Sequence, residues 1–226
     1  MSISTSVIVT NWNNQDYVGR AIRSCLKQSM DKNKFEVIVV DDASTDNSRE
    51  TIHSFEGKIT SIFLEKNVGV GEASNVGIRN ALGEFIIRVD SDDYISEHTL
   101  LFMTEILQHN KDLGFIYGDH YRVDKEENFI ERVNLTTPDL LFRHGAGILF
   151  RKSYLEPLGL YDKELRNAED FDLLRRYIRQ WPGYHLPLPF YKYRQHENNM
   201  TNDPDERKKW EKVADEKIKN GKITEV

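Results

Sequence analysis

Short β-branched runs alternate with helix-period stretches through the first half of the chain. The runs are Val7-Ile8-Val9-Thr10, Phe35-Glu36-Val37-Ile38-Val39-Val40, Thr60-Ser61-Ile62-Phe63-Leu64 and Phe85-Ile86-Ile87-Arg88-Val89. Their length and unbroken apolar character predict strands covered on both faces, which is how parallel strands sit. Between them, residues 15–28 carry Val18, Ala21, Ile22, Cys25 and Leu26 at helical spacing, Ser44-Thr45-Asp46 reads as a helix start, and 72–81 as a helix entered through a glycine turn. A further helix is predicted over 96–109, with Leu100, Leu101, Met103, Ile106 and Leu107 on its apolar side. Such alternation is what a parallel sheet with right-handed crossovers requires. Beyond Phe115 the segments shorten, and 121–124 and 129–133 flank the polar turn Glu126-Glu127-Asn128 as a hairpin. The expected fold class is therefore α/β: a mostly parallel central sheet flanked by helices, with a small antiparallel extension.

The 226 residues are enough for one substantial domain, placed at 1–202 with halves at 1–95 and 96–202, followed by a helical tail over 203–226. A net charge of -6 with both signs well mixed argues against nucleic acid as a partner. Cys25, the single cysteine, rules out an intramolecular disulfide and points to a reducing, cytoplasmic setting; its place in the apolar rhythm makes it a core residue. No apolar run reaches the ~20 residues a transmembrane helix needs, and the polar start lacks a signal-peptide plan. In the tail, Trp210, Val213, Ala214 and Ile218 share a helix face. Packing against its own domain, or against a partner chain in a homodimer, is preferred for this stripe over peripheral contact with the inner face of a membrane.

The chemistry gathers where the strands end. Asp90-Ser91-Asp92-Asp93 delivers several carboxylates to one loop, and their mutual repulsion must be relieved by a cation, a shared proton or open solvent. An Asp-x-Asp loop suits Mg2+ or Mn2+ bridging to phosphate oxygens; the plainer alternative is a turn whose acids cap the next helix. Asp41-Asp42 ends the second strand and Asn11-Trp12-Asn13-Asn14 the first, and in open parallel sheets such loops converge on one crevice. Asn67-Val68-Gly69-Val70-Gly71-Glu72-Ala73-Ser74-Asn75-Val76-Gly77 imitates a dinucleotide fingerprint. However, Ser74 occupies its third glycine position and no clear ribose-binding acid follows, which argues against a nicotinamide or flavin enzyme. Asn75 in that segment can offer both a donor and an acceptor to a ligand. Glu169-Asp170-Phe171-Asp172 opens an amphipathic helix, where the dipole favours an ionised carboxylate, and His196 lies in a late polar segment.

Taken in order, the Val7-to-Asn13 strand and loop, Asp41-Asp42-Ala43-Ser44-Thr45-Asp46, Asn67-x-Gly69 through Asn75-x-Gly77, Asp90-Ser91-Asp92-Asp93, Leu158-Gly159-Leu160-Tyr161-Asp162 and Glu169-Asp170 resemble a family 2 glycosyltransferase of GT-A fold, over residues 3–201. The resemblance implies inverting, metal-assisted transfer of one sugar from a nucleotide diphosphate sugar, with UDP favoured, to a glycan or lipid-linked acceptor in surface polysaccharide synthesis. It implies that Thr10, Trp12, Asp41 and Asp42 contact the nucleoside, with Asn75 and Ser91 also assigned to the donor. Asp90 and Asp92 would serve the ribose, metal and diphosphate; His196 would be an extra metal or diphosphate ligand or, since Mg2+ and Mn2+ prefer oxygen, an ordinary exposed loop histidine. In that context Asp170 becomes the base for the acceptor hydroxyl, with Glu169 orienting the acceptor or the base, rather than both being mere first-turn helix acids; His144 is either a lining residue of the acceptor pocket or a structural loop residue.

Two departures stand out. Many family members have an arginine where this chain has Ser74, so Arg79 and Arg88 become candidate replacements for a donor contact. Arg176-Tyr177-Ile178-Arg179-Gln180-Trp181 misses the spacing of the processive synthases, so single-sugar addition is expected. A sugar-phosphate nucleotidyltransferase and a noncatalytic sugar-nucleotide binding module are the alternatives; the first should carry a basic glycine-rich loop near its amino terminus, and residues 11–17 hold no lysine or arginine.

Overall fold

The computed structural model describes residues 2–136, 145–197, 199 and 202–219. Strands β1 (Thr5–Asn11), β2 (Phe35–Asp41), β3 (Thr60–Phe63) and β4 (Phe85–Asp90) run parallel in the order β3-β2-β1-β4. Helices α1 (Val18–Leu26), α2 (Ser48–His53) and α3 (Val70–Asn80) form the crossovers. After β5 (Tyr94–Ile95) and α4 (Thr99–His109), the sheet is extended by β6 (Phe115–Val123), β7 (Phe129–Val133), β8 (Leu149–Arg151) and β9 (Gly183–Arg194). Its continuation reads β4-β8-β6-β9-β5 with β7 paired to β6, and all of these contacts are antiparallel except β6 with β9. Helices α5 (Lys152–Leu155), α6 (Glu169–Ile178) and α7 (Pro204–Lys219) complete the described chain.

The period of two along each strand sorts its side chains between two cores. Val7, Val9, Val37, Val39, Phe85, Ile87 and Val89 face α1 and α4, meeting Val18, Ile22, Cys25, Leu100 and Met103. Ile8, Ile38, Val40 and Ile86 face α3 and α6, meeting Ala73, Ile78, Leu173, Leu174 and Tyr177. Each fully buried branched side chain contributes about 1.5–3 kcal/mol, so the centre of the sheet is a rigid base for whatever its ends carry. By the same alternation, Arg88 and Asp90 belong to the α3 and α6 face.

The expected hairpin forms, and its turn has a local cause. Asp124 accepts the backbone N–H groups of Glu126 and Asn128, leaving Glu127 at a φ of 71°. The helix expected from residue 96 starts later, at Thr99, because Tyr94 and Ile95 pair with Lys192 and Tyr191 of β9 and the Ser96 N–H goes to the Phe190 carbonyl at 2.8 Å. Helix α1 likewise begins at Val18. Helix α7 docks on its own chain through Ala214 and two ion-paired side chains. Ala214 is fully buried, Asp215 pairs with Arg175 of α6, and Lys217 Nζ bridges Asp162 at 2.8 Å and Glu164 at 2.7 Å. Among the described residues no helix is long and apolar enough to cross a membrane.

Candidate functional site

Strand register brings the first three acidic and polar loops level. Asn11 is paired with Asp41 across β1 and β2, and Thr10 with Asp90 across β1 and β4, so these ends lie at adjacent-strand spacing of about 4.8 Å. Trp12 follows β1 and is 55% exposed. The two aspartates after β2 are held by the protein itself. Asp41 accepts Asn11 Nδ2 at 2.9 Å, the Ser44 N–H at 3.1 Å and Arg49 Nε at 2.9 Å. Asp42 takes the Val68 N–H on one oxygen at 2.7 Å and the Gly69 N–H on the other at 2.8 Å. Gly69, at a φ of 89°, supplies the conformation that turns both amides toward that carboxylate.

The Asp90 loop is built against the far end of β9. The Asp90 N–H donates to the Tyr191 hydroxyl at 3.1 Å, Asp93 accepts the Arg194 N–H at 2.8 Å, and Arg194 Nε donates to the Asp92 carbonyl at 2.8 Å. Ser91 is buried and its hydroxyl accepts Asn14 Nδ2 at 2.8 Å. Asp92 and His196 meet at 3.0 Å, and the His196 ring packs at a tilt of 31° against Tyr17 with ring centroids 4.9 Å apart. Burial pushes the Asp90 carboxyl up to about 6, with Asp92 and Asp170 adding to the rise and Arg88 opposing it. Burial, Asp92 and Asp90 also hold Asp93 well above the usual carboxylate range. Negative charge is therefore in excess at this corner.

The third acidic group reaches the site through Arg88. Its guanidinium, 6% exposed, donates from Nη2 to Asp170 Oδ2 at 2.7 Å and lies 3.5 Å from Asp90 and 3.9 Å from Glu169. Glu169 is buried, and burial, followed by the charge of Asp170, raises its carboxyl to about 7. Gly145 closes the other side of Asp170: a Cβ there would come within 2.0 Å of the Asp170 Cγ.

Asn75, expected on the donor side, is engaged by the protein itself. Asn75 is buried, its amide donates to the Tyr161 carbonyl at 2.9 Å and Glu72 at 3.0 Å, and its oxygen accepts the Tyr161 N–H at 3.0 Å. It anchors the 158–162 motif, whose Tyr161 ring lies 5.6 Å from the Arg88 guanidinium, and has no amide proton left for a donor. Arg79 pairs with Glu72 on the exposed side of α3, and Ser74 bonds back to the Val70 carbonyl within the helix. His144 lies outside the described residues. Tyr191 and Arg194 were not singled out from sequence. They act on a loop about 100 residues away, and nothing local in their own segment marks them for it.

The sequence model of the family described as Glycosyl transferase family 2 matches residues 6–159. The chain belongs to this family. Among its curated relatives, the Staphylococcus aureus poly(ribitol-phosphate) beta-N-acetylglucosaminyltransferase TarS is 33% identical over 175 residues, covering 73% of this chain and 30% of TarS. The Streptococcus pneumoniae glycosyltransferase GlyG is 31% identical over 191 residues, covering 78% of this chain and 62% of GlyG. The chain thus spans less than a third of TarS and under two thirds of GlyG. Among solved structures, S. aureus TarS 1-349 in complex with UDP superposes with a TM-score of 0.73 at 26% identity, over 85% of this chain and 61% of that one. A Pyrobaculum calidifontis mannosyltransferase, PcManGT, in complex with GDP-Man and Mn2+, shares the fold with a TM-score of 0.68 at 16% identity, over 88% and 59% of the two chains. The expected GT-A fold is the one this chain adopts.

Among the described residues no three His, Cys, Asp or Glu groups are already gathered around one point. Mg2+ and similar cations are commonly held by one or two carboxylates with phosphate and water completing the shell. The Asp92 and His196 pair, beside an Asp90 carboxyl crowded by like charge, fits that pattern of incomplete protein ligation.

Proposed function

We propose that the protein moves one sugar from a UDP-sugar to a hydroxyl of a glycan or lipid-linked acceptor, with inversion at the anomeric carbon. The observation that carries this is Asp170, a carboxylate fixed across from the level ends of β1, β2 and β4 and joined through Arg88 to Asp90. The choice of UDP draws on the UDP complex of TarS, and a polymeric cell-surface acceptor on the poly(ribitol-phosphate) transferases among the relatives.

In this reading Trp12 and Thr10 receive the nucleoside, while Asp41 and Asp42 shape its pocket. Asp170 accepts the proton of the acceptor hydroxyl as its oxygen attacks, forming the new bond to the anomeric carbon while the bond to the diphosphate oxygen breaks on the opposite face. Glu169, behind it, orients the base or acceptor. The diphosphate leaves with growing negative charge. Asp92 and His196, with Asp90, would hold Mn2+ or Mg2+, which when bound supplies Lewis-acid stabilisation of that charge.

The test is a thermal-shift titration with UDP, with and without Mn2+, combined with turnover of Asp170→Asn. A ligand present at 100 times its Kd stabilises the native state by about 2.7 kcal/mol. Asp170→Asn is expected to keep that stabilisation and lose on the order of 10²–10⁴-fold in transfer rate. A wild-type protein whose melting ignores UDP, or a variant with undiminished transfer, would refute the proposal.

A further inference from the structure

We propose that Arg88 is the positioning residue of this site: its buried guanidinium fixes the Asp170 carboxylate at the edge of the donor pocket rather than contacting the donor itself. The inference rests on the reading of Asp170 as the base.

Alternation along β4 turns Arg88 and Asp90 to the same face, which α6 covers with its first turn. The guanidinium therefore reaches Asp170, Asp90 and Glu169 together, at 2.7, 3.5 and 3.9 Å, with the Tyr161 ring 5.6 Å away. Among the described residues its Nε and Nη1 have no hydrogen-bond partner, and neither does Glu169 Oε2. A buried ionic cluster is a poor stabiliser taken as a whole, since replacing it entirely by apolar side chains of similar volume is often neutral or better, although removing the cation alone would strand the acids. Stability alone thus gives little reason for building the cluster here; geometry gives a better one.

Asp170 is caught between this cation and the backbone of Gly145, where a side chain would collide with the carboxylate. The bond to Arg88 uses Oδ2, which assigns Oδ1 to the acceptor proton. Because Nη2 also lies beside Asp90, the base is set relative to the strand end that serves the donor. Arg88 was one of two candidates from sequence for a lost donor contact. With its hydrogen bond directed to Asp170 and 6% of its side chain exposed, it sits behind the acids and not in front of them.

The experiment compares wild type with Arg88→Met and Arg88→Lys in initial-rate kinetics and in crystal structures. Arg88→Met is expected to lower kcat on the order of 100-fold, the effect of misplacing a reacting group by about 1 Å, with the donor KM unchanged. Its crystal structure should show the Asp170 carboxylate moved from its place against Gly145. Arg88→Lys, which keeps the charge and loses the fork, should fall between the two in kcat and retain Asp170 in place.

A wild-type kcat in Arg88→Met, a change confined to the donor KM, or an unmoved Asp170 in its crystal structure would overturn the proposal. If Arg88→Met does not fold, Arg88→Lys decides: reduced kcat at unchanged donor KM supports the role, and wild-type kcat overturns it. Failure of the wild type to transfer from any UDP-sugar would sink the functional reading, and the position of Asp170 in the variant crystals would still decide whether Arg88 holds it.

Discussion

Two groups of acids flank the end of β1, Asp41 and Asp42 after β2 on one side and Asp90 of β4 with Glu169 and Asp170 of α6 on the other, and they are built in opposite ways. Asp41 and Asp42 are surrounded by donors: backbone amides, Asn11 and Arg49 meet them at 2.7–3.1 Å. Asp90, Glu169 and Asp170 share a single guanidinium, and two of the three are raised by burial and by one another, to about 6 for Asp90 and about 7 for Glu169. The first group closes loops and the second is held at some expense to the fold. Neighbouring acids that read alike in sequence are therefore told apart by how many protein donors each one finds.

The largest effect that separates the groups should come from Asp42→Ala. It strands the N–H groups of Val68 and Gly69, each now bonded to a charged oxygen, and hydrogen bonds of that kind are worth about 1.5–3 kcal/mol each. A loss of about 3 kcal/mol in urea unfolding is expected. A loss under about 0.5 kcal/mol, the usual range of surface changes, would mean that the glycine turn holds its shape without the carboxylate.

Neutralising a member of the crowded group should act with the opposite sign. The folded pKa of Glu169 lies near 7, above its unfolded value of about 4.3, so the native state binds more protons between those limits and loses stability as pH rises through them. Wild type should accordingly weaken from about pH 4.5 to pH 7 by about 1–3 kcal/mol from this group. Glu169→Gln should lack that component and be the more stable protein at pH 8. Parallel stability profiles for the two proteins over this window would remove the crowding.

Much of this contrast was hidden from sequence, and the reason is physical. The parallel strands, the crossover helices and the hairpin were legible because their signals are local: a run such as Val37 to Val40 states its own burial. Convergence of residues 10–12, 41–42 and 90–92 followed from the rule that parallel strands end on one edge. The i, i+2 spacing of Arg88 and Asp90 did place them on one face, but which helix would cover that face, and that its first turn would be acidic, depended on packing across about 80 residues. Asn75 shows the converse. Its chemistry suited a ligand, and only the proximity of Tyr161 reveals that the amide is already occupied. Tyr191 and Arg194 support the Asp90 loop from the end of β9, a pairing set by tertiary contact alone.

His196 lies between the two designs and gives the smallest expected effect. Its contact with Asp92 resembles the satisfied bonds of Asp41, since a ring nitrogen meets the carboxylate at 3.0 Å. Its place resembles the crowded group, because Asp90 stands next to Asp92 with charge to spare. If His196 is only a strap for the 194–199 segment, His196→Ala should reduce stability and leave the demand for manganese unchanged. If it shares a cation with Asp92, the same variant should need about tenfold more Mn2+ for half-maximal transfer, the lower end of what loss of a group supporting a metal site produces. Transfer should then recover at saturating Mn2+, because Asp170 and Arg88 are untouched. We expect the second pattern, and a manganese titration of the two proteins at fixed UDP-sugar distinguishes them: coincident curves would assign His196 to the strap alone.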